Sequence, residues 1–142
     1  RVRITVTGDA PEGLLNAPVR IATGVAQQPT VEIPISGVVR ARVSVTPVMV
    51  NFGNFQAGKE PITRNIIVTN NKPNTPVKVT RAEVSIAGFI TDVVPTQEGI
   101  SYTVVVKASY KVKKGALDGT VKVYTTDKDK PMIELPLRGE VL

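Results

Sequence analysis

The chain has 142 residues, with 18 Lys and Arg against 12 Asp and Glu for a net charge of +6, and it contains neither Cys nor His. Those two absences exclude a disulfide framework, thiolate metal sites, the commonest nucleophile–base pairs and most zinc, copper and haem ligand sets. Three Tyr, three Phe and no Trp accompany a Val- and Ile-rich aliphatic set punctuated by 11 Pro and 11 Gly, a mixture that favours strands and turns over helices.

Taken in chain order, Arg1–Thr7 reads as a strand with Val2, Ile4 and Val6 on one face. Leu14–Ala17 is one of two candidates for a short helical turn; Ala116–Asp118 is the other. Val19 and Ile21, then Val31, Ile33 and Ile35, alternate with polar residues and mark two half-buried strands. Residues 30–46 form a nearly continuous strand-like run with no Gly/Ser linker, which predicts stiff coupling between the segments on either side of it. Strands are then expected near Arg42–Thr46, Val48–Phe52, Ile62–Thr69, Val77–Ile86, Phe89–Val94, Ser101–Tyr110, Gly119–Thr126 and Met132–Val141. Turns at Gly53–Gly58, Asn70–Thr75 and Pro95–Gly99 separate several of them. Short alternating strands at this spacing predict an all-β, antiparallel sandwich of the immunoglobulin-like type with seven or eight strands. No stretch approaches the roughly 20 apolar residues of a membrane span.

Residues 1–40 repeat, without a gap, as residues 103–142. Ten positions are identical at this separation of 102: Val2/Val104, Gly13/Gly115, Leu15/Leu117, Val19/Val121, Thr23/Thr125, Pro29/Pro131, Glu32/Glu134, Pro34/Pro136, Gly37/Gly139 and Val39/Val141. A period of this size is that of one compact domain. Residues 1–40 therefore read as the C-terminal half, about three strands, of one immunoglobulin-like repeat, and residues 41–142 as a complete repeat. The half-unit would carry an inward face of Val2, Ile4, Val6, Val19, Ile21, Val31, Ile33 and Ile35 with no opposing sheet. Leaving it in water costs about 25 cal/mol per Å². Either roughly 62 upstream residues, as the period implies, or self-association through residues 1–40 is expected to cover it.

Proline cannot donate to a ladder, so Pro34 and Pro136 mark the final strand of each unit as an edge or a bulge. Gly37 and Gly139 are expected to take positive φ or to admit a close backbone approach, and Gly13 and Gly115 to serve a turn. The candidate anion-binding residues are Lys107, Lys111, Lys113 and Lys114, at the end of one strand and in the loop after it. Their counterparts in the first copy are Thr5, Asp9, Pro11 and Glu12, and only Tyr110 offers a stacking face, so specific nucleic-acid recognition is not expected. Asp127 and Asp129 interleave with Lys128 and Lys130 and supply too few oxygens for calcium. No catalytic residue, cofactor site or metal site is assigned.

Two stretches, Val43–Gly58 (VSVTPVMVNFGNFQAG) with Ile66–Asn71 (IIVTNN), and Gly115–Thr126 with Ile133–Gly139 (IELPLRG), resemble the bacterial immunoglobulin-like repeats of unknown function related to Hydin-type ciliary domains and to major-sperm-protein-like domains. Phe52-Gly53 with Gly58 is the most specific element. The resemblance implies a binding or structural sandwich module, often in tandem on extracytoplasmic proteins, with neighbouring repeats as partners and no catalytic residues. Some bacterial members carry a cysteine pair where this chain reads Ser85-Ile-Ala-Gly. The expected function is a non-enzymatic structural or adhesive repeat of an extracytoplasmic or surface array; the alternative is a module binding an anionic polymer through its lysine-rich loop.

Overall fold

The computed structural model describes residues 1–8, 10–58 and 61–142. Every regular element among them is a strand: β1 Gly13–Val25, β2 Gln28–Val39, β3 Val43–Thr46, β4 Val50–Phe55, β5 Ile62–Asn70, β6 Val79–Val84, β7 Phe89–Gln97, β8 Ser101–Ala108, β9 Gly115–Thr125 and β10 Met132–Val141. The chain divides into two compact units, Arg1–Ala41 and Arg42–Leu142.

In the larger unit the strands form two four-stranded sheets, ordered β4-β10-β9-β6 and β3-β5-β8-β7. Alternation dictates which side chains meet between them. Along β8, Tyr102, Val104, Val106 and Ala108 are buried while the residues between them are half-exposed. Phe52, Val121, Val123, Leu135 and Leu137 from one sheet and Val43, Ile66, Val68, Val104 and Val106 from the other make the sandwich core. Each such side chain contributes up to about 1.5–3 kcal/mol by leaving water. Phe52 packs edge-on to Phe89, with ring centroids 5.2 Å apart.

Pairing is antiparallel except between β4 and β10, which run parallel from Leu137↔Val50 to Val141↔Phe55. Consecutive strands β3 and β4 lie in different sheets, so the chain crosses between layers at residues 47–49 and β4 arrives alongside the last strand in the same direction. This corrects the edge assignment for the final strand. β10 lies between β4 and β9, and β4 pairs with it only from Leu137 onward, one residue past Pro136. The missing proline N–H therefore falls where no second ladder is needed.

The turn expected at Gly53 is instead a bulge inside β4. Gly53 adopts φ 63°, its N–H donates to Asn51 Oδ1 at 2.8 Å, and the β4–β10 register shifts between Arg138 and Glu140. Opposite the bulge, a Cβ on Gly139 would lie 3.0 Å from Phe52 Cβ and 3.1 Å from the Gly53 carbonyl oxygen. That is the close approach for which glycine was expected there.

The smaller unit is a two-stranded antiparallel sheet, β1–β2, and its register reproduces that of β9–β10. Gly13 faces Val39, Val19 faces Ile33 and Ile21 faces Val31; Gly115 faces Val141, Val121 faces Leu135 and Val123 faces Ile133. Gly13 and Gly115 open the two hairpins with φ of 124° and 119°. The repeated threonine builds both turns. In one, the Thr23 hydroxyl donates to the Gln28 carbonyl and accepts the Val25 N–H; in the other, the Thr125 hydroxyl donates to the Lys130 carbonyl at 2.6 Å and accepts the Asp127 N–H at 3.1 Å.

Two further expectations are corrected. Residues 14–17 and 116–118 are strand in both copies, because Ala116, Leu117 and Asp118 pair with Glu140, Gly139 and Arg138, as Leu14–Ala17 pair with β2. Residues 1–7 form no strand. Their counterpart β8 pairs with β5 and β7, in the opposite sheet from its hairpin, and the smaller unit has no equivalents of those two strands.

Candidate functional surfaces

The lysine-rich loop is held rigidly at its base. Ser109 donates its N–H and its hydroxyl to the Gly88 carbonyl, at 3.0 and 2.6 Å, and Val112 is buried between exposed Lys111 and Lys113. Gly88, at φ 91°, admits this packing because a Cβ there would meet the Val112 nitrogen at 2.7 Å. The four lysines nevertheless do not share one recess. Lys107 is ion-paired to Asp92 on the outward face of β7 and β8, in a cavity of about 220 Å³ lined also by Pro61, Ile90, Ser109 and Tyr110. Lys113 and Lys114 line a separate groove of about 230 Å³ with Ile86, Ala87 and Leu117. Lys111 Nζ lies 5.8 Å from the Tyr110 ring centroid. Asp9, the counterpart of Lys111, lies outside the described residues.

Asp127 and Asp129 part company. Asp129 is exposed, whereas the Asp127 side chain is fully buried with Arg42 Nη1 3.1 Å from Oδ1. The two groups are close enough to pair electrostatically, yet neither Asp127 oxygen has an aligned hydrogen-bond donor. A buried carboxylate needs a compensating charge, so this contact ties the first residue of the larger unit to the β9–β10 loop. No group of three or more acidic residues among those described could hold a metal ion.

Sequence reasoning did not single out Arg42, Asn70 or Arg64. Buried Asn70 donates through Nδ2 to the Thr75 carbonyl at 2.8 Å and the Gly99 carbonyl at 3.0 Å, joining two loops. Arg64, on β5, donates to the carbonyls of Asn51 and Phe52 at 2.8 and 3.2 Å and thereby clasps β4 of the other sheet. Such roles depend on long-range proximity and leave no period in the sequence. The same holds for the outward trio on β6 and β9, where the Arg81 guanidinium lies 3.9 Å from the Tyr124 ring centroid and both groups hydrogen-bond Glu83. The bond to Glu83, and then that to Tyr124, raises the Arg81 pKa above its ordinary value.

The least ordinary surface is in the smaller unit. Ile4, Val6, Leu15, Val19 and Ile35 line an open groove of about 250 Å³. Their counterparts Val106, Ala108, Leu117, Val121 and Leu137 are all in the sandwich core.

No protein-family model and no curated protein matches the chain. Among solved structures it is similar to a protein of unknown function from Porphyromonas gingivalis W83, with a TM-score of 0.53 and 10% identity over 97% of this chain and 70% of that one. That likeness supports the fold alone. Lower-scoring matches are a family 123 glycoside hydrolase from Clostridium perfringens, at TM-score 0.41 and 11% identity over 70% of this chain and 27% of that one, and domains 4 and 5 of the S-layer protein SbsC, at 0.43 and 17% over 78% and 59%. Among the described residues no helix is long and apolar enough to cross a membrane.

Proposed function

We propose that the chain is a non-enzymatic, tension-bearing segment of a tandem immunoglobulin-like array, acting through its neighbouring repeats on an extracytoplasmic or surface protein. The observation that carries this reading is the parallel pairing of β4 with β10. These strands lie close to the two ends of the larger unit and point the same way. Pulling the ends apart drags β4 backward along its axis and β10 forward along its own, which loads their hydrogen bonds together in shear. A hairpin opened from its free end loses its bonds one at a time. Forced unfolding follows the height of the unfolding barrier, so shear loading resists more than peeling. The identities between the two copies support the same reading, because those with an assigned part build a turn, a core position or a close backbone approach. The anionic-polymer alternative is less well supported, since Lys107 is already paired with Asp92 and lies in a different recess from Lys113 and Lys114.

The test exploits the absence of cysteine. Handles on Arg40→Cys and Leu142→Cys load the larger unit end to end, whereas handles on Lys114→Cys and Leu142→Cys peel β9 from β10. Single-molecule pulling is expected to give a severalfold higher unfolding force for the first pair. Equal forces would overturn the reading.

A further inference from the structure

We propose that the open face of the smaller unit is a docking surface for a block of strands equivalent to β3–β7 of an immunoglobulin-like repeat. This rests on reading the chain as part of a repeat array, and it names what the surface takes.

Three positions of the smaller unit lack the neighbour that their counterparts have. Residues 1–7 correspond to β8, which is flanked by β5 on one side and β7 on the other. Gly37 has nothing within 4 Å of where a Cβ would sit, while at Gly139 the same atom would run into β4. Pro18 stands where Thr120 meets β6. There the Thr120 N–H goes to the Ser85 hydroxyl at 2.9 Å and not into a backbone ladder, so a proline is compatible with a β6-like neighbour accepting nothing from it. The side chains agree. Val2 and Ile4 are 61% and 48% exposed, whereas Val104 and Val106 are both at 0%.

The occupant must therefore bring strands to both sides of residues 1–7, a parallel strand beside Gly37 and a short one beside Pro18. In the complete unit a single continuous segment, β3 to β7, does all of this and leads directly into β8. A second copy of the chain fits less well. Pro18 faces Pro34 across β1–β2, so neither strand offers an N–H at its centre for edge-to-edge pairing. Face-to-face stacking of two hairpins would leave residues 1–7 of each copy without the strands that flank β8 on both sides.

Hydrogen exchange read by mass spectrometry, with sedimentation in parallel, tests this on two chains: residues 1–142, and the same chain extended by its own residues 41–102, the segment that carries β3–β7, joined ahead of Arg1. The extension is expected to slow exchange across residues 13–39 by about 100-fold or more, toward that of residues 115–141. Val19→Asp should abolish the gain in the extended chain and leave exchange in residues 115–141 unchanged. Unchanged exchange at residues 13–39 on extension overturns the proposal, as does strong protection there in a monomer of residues 1–142. A dimer of residues 1–142 with residues 13–39 protected also overturns it and assigns the face to a second copy. The pulling experiment concerns residues 42–142 alone, so failure of the array reading and failure of this docking surface are separable.

Discussion

The hairpins β1–β2 and β9–β10 are the same construction in two environments. They share their register, the glycine that opens each, and the threonine hydroxyl that closes each turn. Yet the inward residues of one fill a core while those of the other line an open groove. Register is thus a local property, specified by the turn and by cross-strand pairs within about 30 residues of chain. Burial is not local, because the second layer comes from β3, β5, β7 and β8.

The sharpest way to break this comparison is to truncate matched core positions. Leu137→Ala, at a site with no solvent exposure, is expected to lower the unfolding free energy of the larger unit by about 2–5 kcal/mol in urea titration. Ile35→Ala, at the matched but half-exposed position, should cost about 1 kcal/mol or less. Equal losses would mean that the smaller unit's face is covered. A smaller difference is expected at the repeated glycine. Gly139→Ala places a methyl against Phe52 and the Gly53 carbonyl and should destabilise by about 1–3 kcal/mol. Gly37→Ala enters open space and should be neutral, or stabilising by about 0.4–1 kcal/mol through the unfolded chain.

What could be read from the sequence divides along the same line. Period-two alternation placed Val121, Val123, Leu135 and Leu137 on one inward face, and they are there, because strand geometry turns parity directly into side. Residues 1–7 carry the same alternation and form no strand, because a strand exists only with a partner and their partners would be β5 and β7 equivalents. The bulge at Gly53 and the interior position of β10 result from the crossing of the chain between layers at residues 47–49, which no local pattern encodes. On the candidate surfaces, charge pattern grouped four lysines, of which the fold places Lys107 in one recess, Lys113 and Lys114 in another, and Lys111 in neither. It also paired Asp127 with Asp129, although Asp127 is buried beside Arg42, a residue 85 positions away.

The smallest expected effect concerns the faces that the two hairpins have in common. Arg20 and Glu32, paired across β1–β2 at 3.2 Å and largely exposed, occupy the places of Lys122 and Glu134, which face each other across β9–β10. Both pairs point away from the inner layer, Arg20 exposed and Lys122 half-exposed between Glu134 and Glu83, so solvent screens both whatever covers the other side. Arg20→Ala and Lys122→Ala should therefore each change stability by about 0.5 kcal/mol or less, and alike, in urea titration at low salt. If Arg20→Ala cost well over about 1 kcal/mol while Lys122→Ala did not, the outward face of β1–β2 would be a contact surface too. The difference between the hairpins would then lie on both faces, and the docking surface would have to be redrawn around the whole of β1–β2.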